Sequence, residues 1–289
     1  MQVKRILFPI DFSDRCRGAA HYVRAYARRF DAKVMAVHAS TVQHSAFGAP
    51  EVGFLPDEDA TARLVEQKRL ELNSFVAEQL PDVNVTAEVK AGDPAVMILQ
   101  MARDLNPDLV MLPTHGFGVF RRFLIGSVTA KVLHDSQHPV WTGVHMEEAP
   151  PPDQIRFERI ICAVDFDREA GVRTLQAAAA LARHTGANVV VVHAIPAIET
   201  RPEKYLDTQF QTFLRDTADD EIGAMQQAAG TRFPLCIHGG PVAKVIRDTA
   251  LDHNADLVMV GRRSHDLAGR LRAHGYAIVR ESPCPVISV

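Results

Sequence analysis

The sequence lacks the features of membrane, secreted and nucleic-acid-binding proteins. No apolar run approaches the roughly 18–20 residues that span a bilayer. The opening stretch, MQVKRILFPIDF, has neither the apolar core nor the cleavage site of a signal peptide and is typical of a first strand. A net charge of −3 gives no broad basic field for a nucleic-acid backbone. We therefore expect a cytoplasmic protein with no membrane span and no nucleic-acid partner.

Cysteine is also scarce, and no CxxC pair occurs, so we expect reduced thiols in the core. The four cysteines are Cys16, Cys162, Cys236 and Cys284. Cys236 and His238 share one face of a predicted strand, which leaves a zinc site as the alternative, although such a site needs further converging ligands. His38 and His193 each end a predicted strand without such ligands nearby, which favours hydrogen-bonded structural histidines.

The two halves of the sequence repeat each other. ILFPIDF from Ile6 corresponds to IICAVDF from Ile160, and AGDPAVMIL from Ala91 corresponds to GGPVAKVIR from Gly239, so the spacing is about 150 residues. Between the halves, EEAPPPDQIRFE carries three consecutive prolines, which favour an extended linker. We predict domains over residues 1–146 and 155–289, joined by a linker over 147–154.

Short, continuous apolar runs alternate with helical patterns in each half. Such runs are typical of parallel strands covered on both faces. In the first half they are Ile6–Ile10, Val34–Ala39, Val85–Val89, Leu109–Leu112 and Val140–Val144. The alternation predicts the α/β class, with two tandem, doubly wound, Rossmann-like parallel sheets.

Helix boundaries are marked by capping residues. Ser13 is a predicted N-cap, Asp93 with Pro94 forms a second helix start, and Asn106 forms a stop. The second half repeats the start at Gly240 and Pro241 and the stop at Asn254. In doubly wound sheets, ligands bind beyond the carboxyl ends of the strands, at the switch point in strand order.

The stretch PTHGFGVFRRFLIGS, residues 113–127, lies at such a strand end with Asp11 and Ala39. Gly126 and Ser127 open a helix whose first amides could hold a phosphate, and Arg121 or Arg122 could reach back to it. Taken alone, glycines with an arginine pair are a weak signal for an anion site and favour an ordinary surface loop. His115 could contact a ligand or pack the turn.

Several of these stretches resemble the universal stress protein family, and the whole chain resembles two such domains in tandem. The resemblance is carried by ILFPIDFS, AGDPAVMIL, DLVMLPTHG and GSVTAKVLHDSQHPV. ATP-binding members of the family carry G-x2-G-x9-G-[ST], which falls here on Pro113, Gly116, Gly126 and Ser127. Pro113 removes one N–H donor, a loss of about 1 kcal/mol, so affinity would fall rather than vanish.

The resemblance implies an adenine nucleotide alpha hydrolase-like fold and a near-complete set of ATP contacts. Pro9, Asp11 and Ala39 would lie on the adenine and ribose side. The triphosphate, with Mg²⁺, would be held by Gly116, Arg121, Gly126, Ser127 and the Val128 amide.

The second half departs from this pattern. Gly261 is present, but Ser264 replaces the second glycine. Where Gly-Ser is expected, the sequence has His274-Gly275 when counted from Gly261, or Arg272-Ala273 when counted from the C-terminal end. The second half therefore lacks the glycine and serine residues that would bind the phosphates. Asp165 survives, so a nucleoside, another polar ligand or an apolar ligand could bind there, with Asp165 and Gly261 as weak candidates.

No catalytic motif supports an enzyme. The sequence lacks an SGG-x-DS loop, HxGH, GxSxG and a Walker A lysine. We expect at most slow ATP hydrolysis. The predicted function is ATP binding that regulates contacts with other proteins, and the alternative is a nucleotide-independent scaffold.

We also expect the last strands of the two halves, Val140–Val144 and Val286–Val289, to pair with each other, which would make an intrachain pseudo-dimer. A homodimer of two chains is compatible with the sequence. Polar, irregular regions at residues 40–60 and 196–210 are candidate lids or partner surfaces.

Overall fold

The computed structural model describes residues 1–40, 58–115, 125–196, 204–262 and 273–289. The strands are β1 (Arg5–Pro9), β2 (Lys33–Ser40), β3 (Val85–Ala91), β4 (Leu109–Pro113), β5 (Val140–Gly143), β6 (Arg159–Ala163), β7 (Asn188–Ile195), β8 (Leu235–Gly239), β9 (Leu257–Val260) and β10 (Val286–Ser288). The helices are α1 (Asp14–Phe30), α2 (Glu58–Gln79), α3 (Pro94–Leu105), α4 (Ser127–Asp135), α5 (Arg168–Thr185), α6 (Lys204–Ala229), α7 (Val242–Asp252) and α8 (Ala273–Glu281).

The strands form one sheet in the order β3-β2-β1-β4-β5-β10-β9-β6-β7-β8. Within each half every pairing is parallel, as the apolar runs predicted. In the first half the chain runs from β1 outward through β2 to β3 and then returns to β4 on the other side of β1. The switch point therefore lies between β1 and β4, and its counterpart lies between β6 and β9.

Helices cover both faces of this sheet and bury two apolar cores. One core packs α1, α2, α5 and α6 against one face, with Leu72 and Ile222 fully buried in it. The other packs α3, α4, α7 and α8 against the opposite face, with Leu133 and Val279 buried. Each core contains residues of both halves, so the halves share their apolar interior.

The two halves meet at an antiparallel seam between β5 and β10, which confirms the predicted pairing of last strands. Trp141 lies opposite Ile287, and both side chains are fully buried. The Thr142 hydroxyl donates to the Val286 carbonyl, and the Ser288 hydroxyl donates to the Val140 carbonyl. This reciprocal pattern is that of an isologous dimer interface within one chain.

Further contacts cross the seam beside these strands. The buried Arg262 guanidinium donates to the carbonyls of Ser136 and His138, which follow the C-terminal end of α4. The Tyr276 hydroxyl on α8 donates to the Ala130 carbonyl on α4 at 3.2 Å. Helix α4 is thus held at its middle and at its end by the second half.

The predicted caps of the first half are confirmed. The Ser13 side chain accepts from the Cys16 amide, the Asp93 side chain accepts from the Val96 amide, and Asn106 ends α3 in the left-handed region. In the second half, α7 starts after Pro241 without a side-chain cap. It ends at Asp252, and Asn254 takes the left-handed conformation two residues later.

Three expectations were wrong in detail. β3 is an edge strand with exposed or half-buried residues, because β2 is the only strand that pairs with it among the described residues. The linker is not fully extended: it forms 3-10 turns at Met146–Glu148 and Pro152–Gln154. The predicted irregular regions are partly helical, because α2 begins at Glu58 and α6 begins at Lys204; the remainder at 41–57 and 197–203 lies outside the described residues.

The linker packs on α1, and Gly18 makes this possible. A Cβ at Gly18 would lie 1.6 Å from the Met146 carbonyl oxygen, so no other residue fits there without displacing the linker. The His21 ring bonds the Pro150 carbonyl at 2.9 Å, and Met146 is buried. The connection between the halves is therefore an integrated part of the structure.

Candidate functional site

The carboxyl ends of β1, β2 and β4 bring most of the predicted site residues of the first half to one edge of the sheet. Pro9 pairs with Val37, so Ala39 lies at the same edge, and β4 ends beside β1 at Pro113. Asp11 follows β1 and is half-buried. Gly126, Ser127 and Val128 join this group through the start of α4. Gly116 and Arg121 lie outside the described residues.

The first turn of α4 is tied directly to the end of β4. The Gly126 amide donates to the Thr114 carbonyl at 2.8 Å, and the Thr129 hydroxyl donates to the Pro113 carbonyl at 2.9 Å. A Cβ at Gly126 would lie 3.3 Å from the Thr114 carbonyl oxygen, so glycine permits this close approach. The Gly126 amide is already used, and the amides of Ser127, Val128 and Thr129 are left without an intrahelical acceptor.

Asp11 belongs to a turn that both halves share. Its Oδ1 accepts from the Ser13 amide at 3.0 Å and from the Ser13 hydroxyl at 2.7 Å, and the Phe12 between them has a φ of 66°. The His38 ring bonds the Ile10 carbonyl at 2.7 Å and packs on Phe12 at 4.6 Å between centroids.

The equivalent turn follows β6. Asp165 Oδ1 accepts from the Asp167 amide at 2.9 Å, and the His193 ring bonds the Val164 carbonyl at 2.9 Å and packs on Phe166. His38 and His193 are thus hydrogen-bonded structural histidines, as predicted. Their contact with the strand-end carbonyl fixes the turn that carries each aspartate.

His115, Arg15 and Glu147 form a polar group beside the first-half site. Burial lowers the pKa of His115, and the nearby Arg15 charge lowers it further. The His115 Nδ1 atom contacts the Thr114 hydroxyl at 3.2 Å, and its buried Nε2 atom has no hydrogen-bond partner among the described residues. Arg15 pairs with Glu147 of the linker turn at 3.2 Å.

The second half has a cavity at its own switch point, between β6 and β9. Its volume is about 130 Å³. The lining includes Ala163 and Asp165 at the end of β6, Gly261 after β9, and His274 and Gly275 at the start of α8. A Cβ at Gly261 would lie 2.8 Å from the Thr174 hydroxyl oxygen, so glycine is needed for α5 to pack here. Gly261 is therefore a packing glycine as well as a lining residue.

With this geometry established, the sequence can be compared with known families. The model of the universal stress protein family matches residues 2–142 and again residues 156–289. The chain belongs to the universal stress protein family. Its two matches bracket the linker, in agreement with the tandem repeat predicted from the sequence.

Individual relatives agree with this assignment. Universal stress protein MJ0531 of Methanocaldococcus jannaschii is 32% identical over 143 residues, which cover 47% of this chain and 79% of the relative. A universal stress protein of Thermus aquaticus is 28% identical over 137 residues, covering 47% of this chain and 96% of the relative. The crystal structure of a universal stress protein from Archaeoglobus fulgidus matches the fold with a TM-score of 0.70 at 23% identity, covering 100% of this chain and 98% of that one.

The cysteines of this universal stress protein are dispersed through the fold. Cys16 and Cys162 are buried, and burial raises the pKa of the Cys162 thiol to about 12. Cys236 lies half-buried on β8, two residues before His238. Within the described residues, no three His, Cys, Asp or Glu side chains come together as a metal site. In the same part of the chain, no helix is long and apolar enough to cross a bilayer.

Sequence reasoning gave no role to several residues that build the site. Thr129 anchors α4 to β4, and Arg15 lies beside His115. Thr129 lies within GSVTAKVLHDSQHPV, three residues after Gly126, and this spacing could have placed it in the first turn of the helix. The role of Arg262 could not be predicted from the sequence, because its acceptors are backbone carbonyls more than 120 residues away in sequence.

Proposed function

We propose that this universal stress protein binds ATP with Mg²⁺ in its first half, residues 1–146, and acts as a nucleotide-dependent regulatory protein of the cytoplasm. The observation that carries the proposal is the start of α4 at the switch point between β1 and β4. Nucleotide occupancy would change the order of residues around this edge and thereby the contacts made with partner proteins. Two chains could also associate through such contacts.

The start of α4 supports binding of the phosphates. The amides of Ser127 and Val128 belong to the first turn and have no intrahelical acceptor, and the helix dipole adds positive potential there. Ser127 is exposed, so its hydroxyl and amide are accessible to a ligand. Helix N-termini of this kind commonly bind phosphate groups.

The end of β1 supports binding of the nucleoside. Oδ1 of Asp11 is engaged in the turn, so Oδ2 is the oxygen that would accept from a ribose hydroxyl or a base. Pro9 and Ala39 are half-buried at the same edge and offer apolar contact to the adenine ring. Pro113 has no amide to contribute, which lowers the expected affinity by about 1 kcal/mol, or roughly fivefold.

The test is a calorimetric titration of ATP with Mg²⁺ into the nucleotide-free protein and two variants. In Ser127→Trp the indole would cover the first turn of α4. In the control, Gln100→Trp, the same side chain stands at an exposed position of α3. We expect one site per chain in the wild type and in the control, and at least a tenfold weaker site in Ser127→Trp. Equal affinities in all three proteins would refute the proposed site.

The alternative function, a scaffold that works without nucleotide, is favoured by Pro113 and by two exposed aromatic residues. Phe210 and Phe213 on α6 are 51% and 62% exposed, and their rings stack on each other. Exposed aromatic side chains of this kind often mark surfaces that bind other proteins. Absence of any heat in the ATP titration would make this function the leading one.

A further inference from the structure

We propose that a cavity between the two halves is a binding site for a small organic phosphate. The cavity has a volume of about 270 Å³ and lies at the amino end of β1, where the C-terminal ends of α1 and α5 meet. Its lining comes from residues 1–4 and Phe30 of the first half and from Ala180, Arg183 and His184 of the second. The candidate ATP site lies at the carboxyl end of β1, so the two sites share no residues and the proposal does not depend on ATP binding.

The two helix ends are joined by contacts in both directions. Arg29 Nη2 donates to the carbonyls of His184 and Thr185 at 3.2 and 2.9 Å, and the His184 ring bonds the Arg29 carbonyl at 3.2 Å. The Phe30 and His184 rings stack at 4.7 Å between centroids. Lys4 Nζ donates to the Phe30 carbonyl at 2.9 Å. These cations offset the partial negative charge that helix C-termini carry, so the helix ends do not exclude an anion.

Arg183 lines the cavity with a charge that no acidic side chain compensates. It lies three residues before the left-handed cap of α5, and Arg28 lies three residues before the left-handed cap of α1. Arg28 Nε is 3.5 Å from Oδ2 of Asp82, which stands in the connection between α2 and β3. The connection between α6 and β8, residues 230–234, contains no acidic residue. Among the described residues Arg183 has no hydrogen bond or ion pair, so its guanidinium donors are available to a ligand.

The lining of the cavity is cationic throughout the described residues. A second cavity at the same helix ends mixes basic residues with Asp153 and Glu158. Glu158 directly precedes β6 as Lys4 directly precedes β1, so this position has opposite charge in the two halves. Asp108 lies near the proposed site but does not line it, and its Oδ2 accepts from two amides at the start of β1. Lys4 and Arg183 therefore give the cavity a net positive charge.

The charge and the size of the cavity indicate the kind of ligand. Two cations match a phosphomonoester, which carries about −1.5 to −2 charges at pH 7, better than they match a monocarboxylate. The Arg183 guanidinium can donate to two phosphate oxygens at once, and the Lys4 ammonium adds a point charge. Phe30 and Ala180 offer apolar surface to the organic group. The volume is just below the roughly 300–1,000 Å³ of pockets for drug-sized ligands, so a group of about one ring fits.

Phenyl phosphate and benzoate test the proposal, because both carry one ring and they differ in charge. Binding is measured by ligand-detected NMR titration to Ser127→Trp, in which the indole covers the start of α4 and keeps phosphate from it. Two substitutions are added to this parent: Arg183→Gln removes the charge, and Ala180→Trp places an indole in the cavity. The matched controls are Arg103→Gln and Gln176→Trp, at exposed positions of α3 and α5.

We expect phenyl phosphate to bind the parent and benzoate to bind at least threefold more weakly. Phenyl phosphate affinity should fall at least fivefold in Arg183→Gln and in Ala180→Trp and stay unchanged in Arg103→Gln and Gln176→Trp. No phenyl phosphate binding, benzoate binding of equal strength, or binding that Ala180→Trp leaves intact would each overturn the proposal. Equal losses in Arg183→Gln and Arg103→Gln would overturn it as well, because they would reflect the charge of the whole protein.

Discussion

At the scale of single residues, Asp108 and Asp256 show how one side chain aligns a strand. Asp108 Oδ2 accepts from the amides of Lys4 and Arg5, both at 2.8 Å, just where β1 begins beside β4. Asp256 does the same for Glu158 and Arg159 at the start of β6. Each carboxylate therefore fixes the start of the strand whose other end carries the candidate site.

Replacing this carboxylate should lower stability without changing the fold. In Asp108→Ala the two amides lose a charged acceptor and must be solvated by water, which we expect to cost about 1–2 kcal/mol. Urea unfolding followed by circular dichroism measures the change. Asp104→Ala removes an exposed carboxylate of α3 and should leave the midpoint nearly unchanged. Similar midpoints for the two variants would contradict the role given to Asp108.

Buried thiols make stability sensitive to alkaline pH. Burial raises the pKa of the Cys162 thiol from its ordinary value of 9.0 to about 12. Above pH 9 the unfolded chain loses this proton and the folded chain keeps it, so the folded state becomes less stable as pH rises towards 12.

We therefore expect Cys162→Val to weaken the loss of stability between pH 8 and pH 10. One fully shifted group contributes about 1.4 kcal/mol per pH unit above the unfolded pKa, so the variant should lose about 1 kcal/mol less than the wild type. Urea titrations of both proteins at the two pH values provide the test. Parallel losses would mean that the Cys162 thiol ionises as readily in the folded state.

At the scale of elements, α3 and α7 are equivalent helices with different starts. α3 has Asp93 as N-cap, whose side chain accepts from the Val96 amide at 2.9 Å, and Pro94 in its first turn. α7 follows Pro241 and has no side-chain cap. The N-terminus of α3 therefore has a side-chain cap that the N-terminus of α7 lacks.

Removing the cap of α3 should cost about 1 kcal/mol. Asp93→Ala leaves the Val96 amide without its acceptor, and Asp93→Ser restores a shorter acceptor at the same place. We expect the unfolding midpoint to fall in Asp93→Ala and to recover most of the way in Asp93→Ser. Equal destabilisation by both variants would indicate that the aspartate acts through charge alone.

Elements were predictable from the sequence where the signal is local. Apolar runs and capping residues such as Ser13 and Asn106 depend on near neighbours, and the structure confirms them. The exposure of β3 was not predictable, because it follows from the position of the strand at the sheet edge. The cavity of the second half was not predicted for a related reason: it depends on how α5, α7 and α8 pack around the ends of β6 and β9.

At the scale of the whole molecule, the antiparallel seam fixes the relation between the two sites. Strands are parallel within each half, and β5 and β10 run in opposite directions. The carboxyl ends of the two sets of strands therefore face opposite edges of the sheet. The candidate ATP site and the cavity of the second half open on opposite sides of the molecule, and each can be filled without hindering the other.

The shared cores and the continuous sheet predict that both halves unfold together. Trp141 is the only tryptophan of the chain and lies on the seam opposite Ile287, so its fluorescence reports on the seam itself. We expect urea transitions followed by Trp141 fluorescence and by far-ultraviolet circular dichroism to coincide. A fluorescence change that precedes the loss of helix signal would show that the seam opens before either half unfolds.

The buried Arg262 has a consequence for how such a chain can diversify. In a dimer of identical subunits every substitution at the interface occurs twice, so a buried cation on one side would be accompanied by a second on the other. Here Thr114 occupies the position equivalent to Arg262, and the cation is present once. When both copies are joined in one polypeptide, each side of the interface can mutate independently. An asymmetric contact such as this one favours pairing with the other half of the same chain over pairing with a different chain.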